Sequence, residues 1–251
     1  MRTFLVLLER EMKSYFYSPI AYVVLCFFLA LTGYNAYVVT SLLNKGPSDI
    51  TMIEGFFGIA IFWFGFIPMI PLITMRLYSE EFKSGTIETL MTAPVEDWQV
   101  VASKFAGSLL FYIVLWAPTT LYFVIFQYVT GQTAAASLGS YLGSYGMLIL
   151  MGAFYLSLGC LASVITRNQI IAAIIALVLV VLMFFTGVIA SRTGTATQAF
   201  RDFVAYFSSY EHLAGYSRGL IDTRPVVYYL SLTILIQFLT FHIFQFRKWK
   251  A

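Results

Sequence analysis

Few side chains in this sequence could act on a substrate, and their spacing argues against most chemistries. Nucleotide binding uses a phosphate-cradling loop of the form G-x-x-x-x-G-K-[ST], and neither Gly-Lys-Ser nor Gly-Lys-Thr occurs in the chain. Ser157 and His242 would supply a nucleophile and a base. Yet the surroundings of Ser157, Tyr155-Leu156-Ser157-Leu158-Gly159, lack the glycine that precedes the nucleophile of intramembrane serine proteases. His212 beside Glu211 reads as a hydrogen-bonded surface pair rather than a metal site. His242 falls inside an apolar run, where an ionisable group is a functional candidate, and a neutral helix-packing histidine is the plainer reading. Cys26 and Cys160 also lie in apolar runs, with neither metal-ligand spacing nor a disulfide pattern. The expectation is a chain with no catalytic residue, no cofactor-binding residue and no metal ligands.

What remains is a dense run of charge from Arg76 to Asp97, containing Glu80, Glu81, Lys83, Glu88 and Glu96. Ser79 is a candidate N-cap for a helical turn holding Glu80 and Glu81, and Gly85 a natural break before a second short helix. Pro94, Glu96 and Asp97 would then open the following helix, with acids at its positive end. The coupling segment read here is 79–97, a small docking surface fixed to two rigid arms, so that motion of a partner becomes tilt of the arms. On composition alone the same run fits an ordinary charged loop.

The arms are hydrophobic. Of the 251 residues 60% are hydrophobic and 11% charged, against roughly 45–50% and 25% in soluble domains. Uncharged runs cover 20–43, 56–75, 105–128, 142–165, 170–190 and 226–246, each reaching the about 20 residues that cross a hydrocarbon core. The fold class expected is an all-α membrane protein of six transmembrane helices forming a single domain over 1–251. Pro68, Pro71 and Pro118 fall inside the second and third spans as tolerated kinks. None of the six apolar cores carries Asp, Glu, Lys or Arg, which argues against an ion-coupled secondary transporter, since ion relays place such groups there.

With six spans both termini share a side. Placing them in the cytoplasm puts Arg2, Arg10, Lys13, Arg76, Lys83, Lys104, Arg167, Arg247, Lys248 and Lys250 inside, and Lys45, Arg192, Arg201, Arg218 and Arg224 outside. The excess favours that orientation. Residues 1–17 read as an interfacial helix, with Phe4, Leu8, Met12 and Tyr15 on an apolar stripe and Arg2, Arg10 and Lys13 available to anionic head groups. The outer loop 191–225 carries Phe200, Phe203 and Phe207 at helical spacing, an aromatic face for the outer membrane surface and a candidate outer gate.

The run SEEFKSGTIETLMTAPV, residues 79–95, resembles the acidic, Gly-Thr-containing segment after the second span of ABC-2 type transporter permeases. The stretch YEHLAGYSRGLIDTRPVVYYLS, residues 210–231, is similar to the gliding-motility-type branch of that family. The resemblance implies a permease subunit, engaged in export, in the cytoplasmic membrane of a prokaryote. It implies two ATPase chains as partners, a second permease chain that is identical or related, and membrane lipids around the pair. It leaves room for an auxiliary subunit and gives no reason to expect nucleic acid or a cofactor. By the same resemblance Glu80, Glu81, Gly85, Thr86 and Glu88 would couple to the ATPase, and a short re-entrant outer helix would precede the last span.

Overall fold

A computed structural model describes residues 2–45, 50–87, 95–131, 133–135, 137–192 and 206–248. Within them every regular element is helical: α1 Arg2–Phe16, α2 Pro19–Leu43, α3 Met52–Gly58, α4 Ala60–Thr74, α5 Ser79–Ser84, α6 Asp97–Trp116, α7 Thr120–Thr130, α8 Leu138–Ile165, α9 Gln169–Arg192, α10 Ser209–Ser217 and α11 Thr223–Lys248. Five runs are long and apolar enough to cross a membrane: Pro19–Leu43, Ala60–Ser84, Asp97–Thr130, Leu138–Ile165 and Thr223–Arg247. The sixth expected span, 170–190, lies on α9, whose apolar stretch with described side chains is Gln169–Phe185.

Local chemistry sets the helix ends. Pro19 occupies the first turn of α2, where its missing N–H is no loss. Thr51 and Ser137 cap α3 and α8 by accepting the backbone N–H of Glu54 and Ser140. The second span does not start at Phe56 as one continuous helix. Ile59 takes extended backbone, φ −81° and ψ 143°, and separates α3 from α4. Asn35 Nδ2 on α2 donates to the Phe56 carbonyl at 2.8 Å, so a carbonyl beside the break has a donor. Pro68 and Pro71 sit inside α4 without ending it, whereas Pro118 tightens Ala117–Thr119 into a 3₁₀ turn between α6 and α7.

The core is centred on α8, which is buried over most of its length, while α2 and α11 bury only a narrow stripe. Outward-facing Val23, Phe27, Ile234 and Phe238 are exposed apolar side chains, as lipid contact requires. In lipid the helices associate through close packing, which favours small residues at contacts. Gly159 on α8 has that role: a Cβ there would lie 2.1 Å from Thr74 Oγ1 on α4.

Candidate functional site

The turn after α4 is built from its neighbours. Leu77, Tyr78 and Ile87 are buried in a cluster with Val100 and Val101 of α6, Cys160 and Val164 of α8 and Phe244 of α11. The Ser163 hydroxyl on α8 accepts the N–H groups of Tyr78 and Ser79 at 3.1 and 3.3 Å. Ser79 is therefore not the N-cap expected: Tyr78 holds that position, and the Ser79 hydroxyl turns back to the Met75 carbonyl. The expected break at Gly85 is present, with φ +73°, a left-handed conformation that a side chain would strain. Lys83, Ser84, Gly85 and Thr86 form the exposed edge of this element. Glu88 lies outside the described residues.

Both acids of α5 are paired within the protein, Glu80 at a half-exposed position and Glu81 in the interior. Arg76 donates from Nε and Nη2 to the two oxygens of Glu80 at 2.7 and 2.9 Å, and from Nη1 to Ser18 Oγ at 2.7 Å. Glu81 Oε1 lies 2.8 Å from Arg10 Nη2 and 3.0 Å from Lys104 Nζ. Lys104 also meets Glu11 Oε1 at 2.9 Å and stands 5.5 Å from the centre of the Tyr78 ring. Its residue is 1% exposed, so the ammonium counted in sequence among cytoplasmic loop charges is in the interior. Removing one partner of such a buried pair strands the other charge, at a cost of about 3–5 kcal/mol.

The N-terminal helix is part of the same structure. Its stripe is half-buried, and Tyr15 stacks on Phe111 of α6 with centroids 4.7 Å apart while donating to the Ile73 carbonyl at 3.0 Å. Glu11 belongs to this inner face, a residue that sequence patterning passed over because an acid in the charged run Glu9-Arg10-Glu11-Met12-Lys13 reads as solvated. At the other terminus Arg247 covers the Phe82 ring of α5 at 4.6 Å and donates to the Ile165 carbonyl at 2.5 Å. A cavity of about 270 Å³ between α1, α4, α5 and α6 is bordered by Arg10, Ser14, Arg76, Ser84 and Lys104.

At the opposite end, Phe200 and Phe203 lie outside the described residues, and Phe207 packs on Tyr206 and Tyr228. α10 is fastened by a chain of hydrogen bonds: His212 Nδ1 to the Tyr229 hydroxyl, 3.1 Å, Tyr229 to Ser209, 3.0 Å, and Ser209 to Tyr155, 2.8 Å. The expected His212–Glu211 pair is replaced by this bond to Tyr229. Burial pushes the His212 pKa down to about 4, partly opposed by Asp222. The Ser157 hydroxyl donates a hydrogen bond to the Phe154 carbonyl at 2.6 Å, and His242 sits edge-on to Phe238 at 4.3 Å. In these contacts Ser157 bonds to its own helix and His242 packs on an aromatic ring.

No curated protein matches the chain. A sequence model of the ABC-2 family transporter proteins matches residues 5–249, which is nearly all of its 251 residues. The chain therefore belongs to the ABC-2 transporter family, whose members are membrane subunits of ABC transporters and normally pair with an ATPase subunit.

Proposed function

We propose that this chain is the permease of an exporter in a prokaryotic cytoplasmic membrane, related to the gliding-motility-type branch, working as two permease chains with two ATPase chains. The observation that carries the coupling part is the turn Arg76–Thr86. It offers an exposed edge, Lys83 to Thr86, on a base held by Ser163, Lys104 and Arg247. A partner pressing on such an edge moves the arms instead of deforming the loop. In this reading Gly85, Thr86 and Glu88 belong to the docking side. Glu80 and Glu81 hold α5 in place from behind.

Parity supports six crossings. The Arg10–Glu81 ion pair and the Arg247–Phe82 contact bring both ends of the chain to the same end of the bundle. A chain whose termini share a side crosses an even number of times, so α9 is proposed as the crossing that completes the five long apolar runs.

The test is co-expression with the cognate ATPase and reconstitution into vesicles. The wild-type chain is expected to co-purify with the ATPase in equal numbers and to bind no ATP by itself. Gly85→Val and Glu88→Lys are expected to leave membrane insertion intact while lowering both stimulated ATP hydrolysis and transport by about tenfold or more, the scale of a misplaced docking contact. Wild-type rates in both variants would make the turn an ordinary loop. High-affinity ATP binding by the isolated chain would remove the separate motor.

A further inference from the structure

We propose that the ion cluster Arg10–Glu81–Lys104–Glu11 is a joint that makes α5, α6 and the N-terminal helix move as one body, with Lys104 as its positioning residue. The proposal rests on the reading that α5 faces an ATPase. It assigns α1 a mechanical part beyond lying on the membrane.

Three observations support it. Lys104 is on α6, Glu11 and Arg10 are on α1, and Glu81 is on α5, so a single buried ammonium bridges three elements far apart in sequence. The cluster balances two cations against two carboxylates, and Lys104 is nearly inaccessible. Its charge is therefore compensated only while α1 and α5 both stay in contact with α6. Arg10 and Lys104 also share one oxygen of Glu81, while Glu81 Oε2 is buried with no hydrogen-bond partner among the described residues. A small rotation of that carboxylate would divide the two cations between its two oxygens. The joint thus has a second arrangement available without losing its ion pairs, as an element that shifts during a transport cycle requires.

A simple fastening of the fold would make different predictions. The test variant is Lys104→Met with Glu11→Gln and Glu81→Gln, which removes the buried charges together and leaves no carboxylate of the cluster stranded, so that folding is protected. In the reconstituted complex its transport is expected to fall about tenfold further than its ATP hydrolysis, within the range of coupling changes produced by residues that touch neither ligand. Docking variants lose both activities together, so the split between them marks the joint. A second measurement needs no ATPase: spin labels at Ser14 of α1 and Ser84 of α5, which both border the cavity, should give a narrow distance distribution in the wild-type background and a broad one in the triple variant.

A triple variant that transports with wild-type yield per ATP would overturn the proposal, as would unchanged label distances. If the wild-type chain fails to couple to any ATPase, the functional reading fails separately, and the label distances still decide whether the cluster binds the three helices together.

Discussion

Protonating His212 in its native place costs more than protonating it in the unfolded chain, because the ring is half-buried against Tyr228 and Tyr229. Its pKa falls from 6.5 to about 4 on folding. A depressed folded pKa means that the unfolded state takes up the proton first as pH drops. The contribution is thus neutral above about pH 6.5 and becomes increasingly destabilising down to about pH 4. The folded ring stays neutral through this window, so the bond to Tyr229, which leads on to Ser209 and Tyr155, is disturbed only as pH falls to about 4. In detergent, wild-type protein should lose more thermal stability between pH 7 and pH 4.5 than His212→Gln does; parallel losses would remove His212 as the source. The sequence made this histidine visible but not its partner, since Tyr229 is 17 positions away. Lys104 was still less legible. It stands at the edge of an apolar run, where loop and interior look alike, and its partner Glu11 lies 93 positions earlier.

Helices are easier to read than the breaks between them. The long apolar runs were plain in the sequence, because twenty uncharged residues leave few alternatives to a helix in or near lipid. Pro118 marked the α6–α7 junction, whereas the break at Ile59 has no proline and no residue in left-handed backbone. It depends on partners distant in sequence: Asn35 holds the Phe56 carbonyl, and the Ile53 N–H donates to the Ala134 carbonyl at 3.0 Å. Contacts between helices are a matter of small residues in register. Gly159→Ala places a methyl group against Thr74, with the Thr74 Cβ and Cγ2 both 2.7 Å away. Overpacking of this kind costs about 1–3 kcal/mol, so the melting temperature should fall by several degrees. Thr74→Ala in the same chain removes the two outer atoms of the clash and should recover part of the loss. A Gly159→Ala protein as stable as wild type would mean that α4 and α8 sit farther apart than the 2.1 Å approach to Thr74 Oγ1 implies.

For the whole molecule the ion pairs refine what the charge count could say. Arg10, Arg76 and Lys104 are three of the ten cations that the positive-inside reading placed in the cytoplasm, and all three are engaged with Glu80, Glu81 or Glu11. Their role in internal pairing does not weaken the orientation, because the rule concerns basic residues close to the span ends. The pairs add that α1, α5 and the end of α11 lie together at one end of the bundle. One labelling experiment then fixes the side for all of them. In a chain with Cys26 and Cys160 replaced by Ser, a cysteine at Lys45 or Arg218 should react with an impermeant thiol reagent applied to intact cells. Both positions are exposed. A cysteine at Lys83, equally exposed, should react only after the membrane is opened, and so should one at Lys250. Labelling of Lys83 together with Lys45 from outside would contradict the crossing by α4, the span that separates them. Labelling of Lys83 and Lys250 alone would invert the bundle, leave its internal contacts intact, and put the docking edge where no cytoplasmic ATPase could reach it. The result at Arg218 bears on α9. If Arg218 is protected along with Lys83, while Lys250 labels from outside, then α9 does not cross, the parity drawn from the Arg247–Phe82 contact fails, and the permease has five spans.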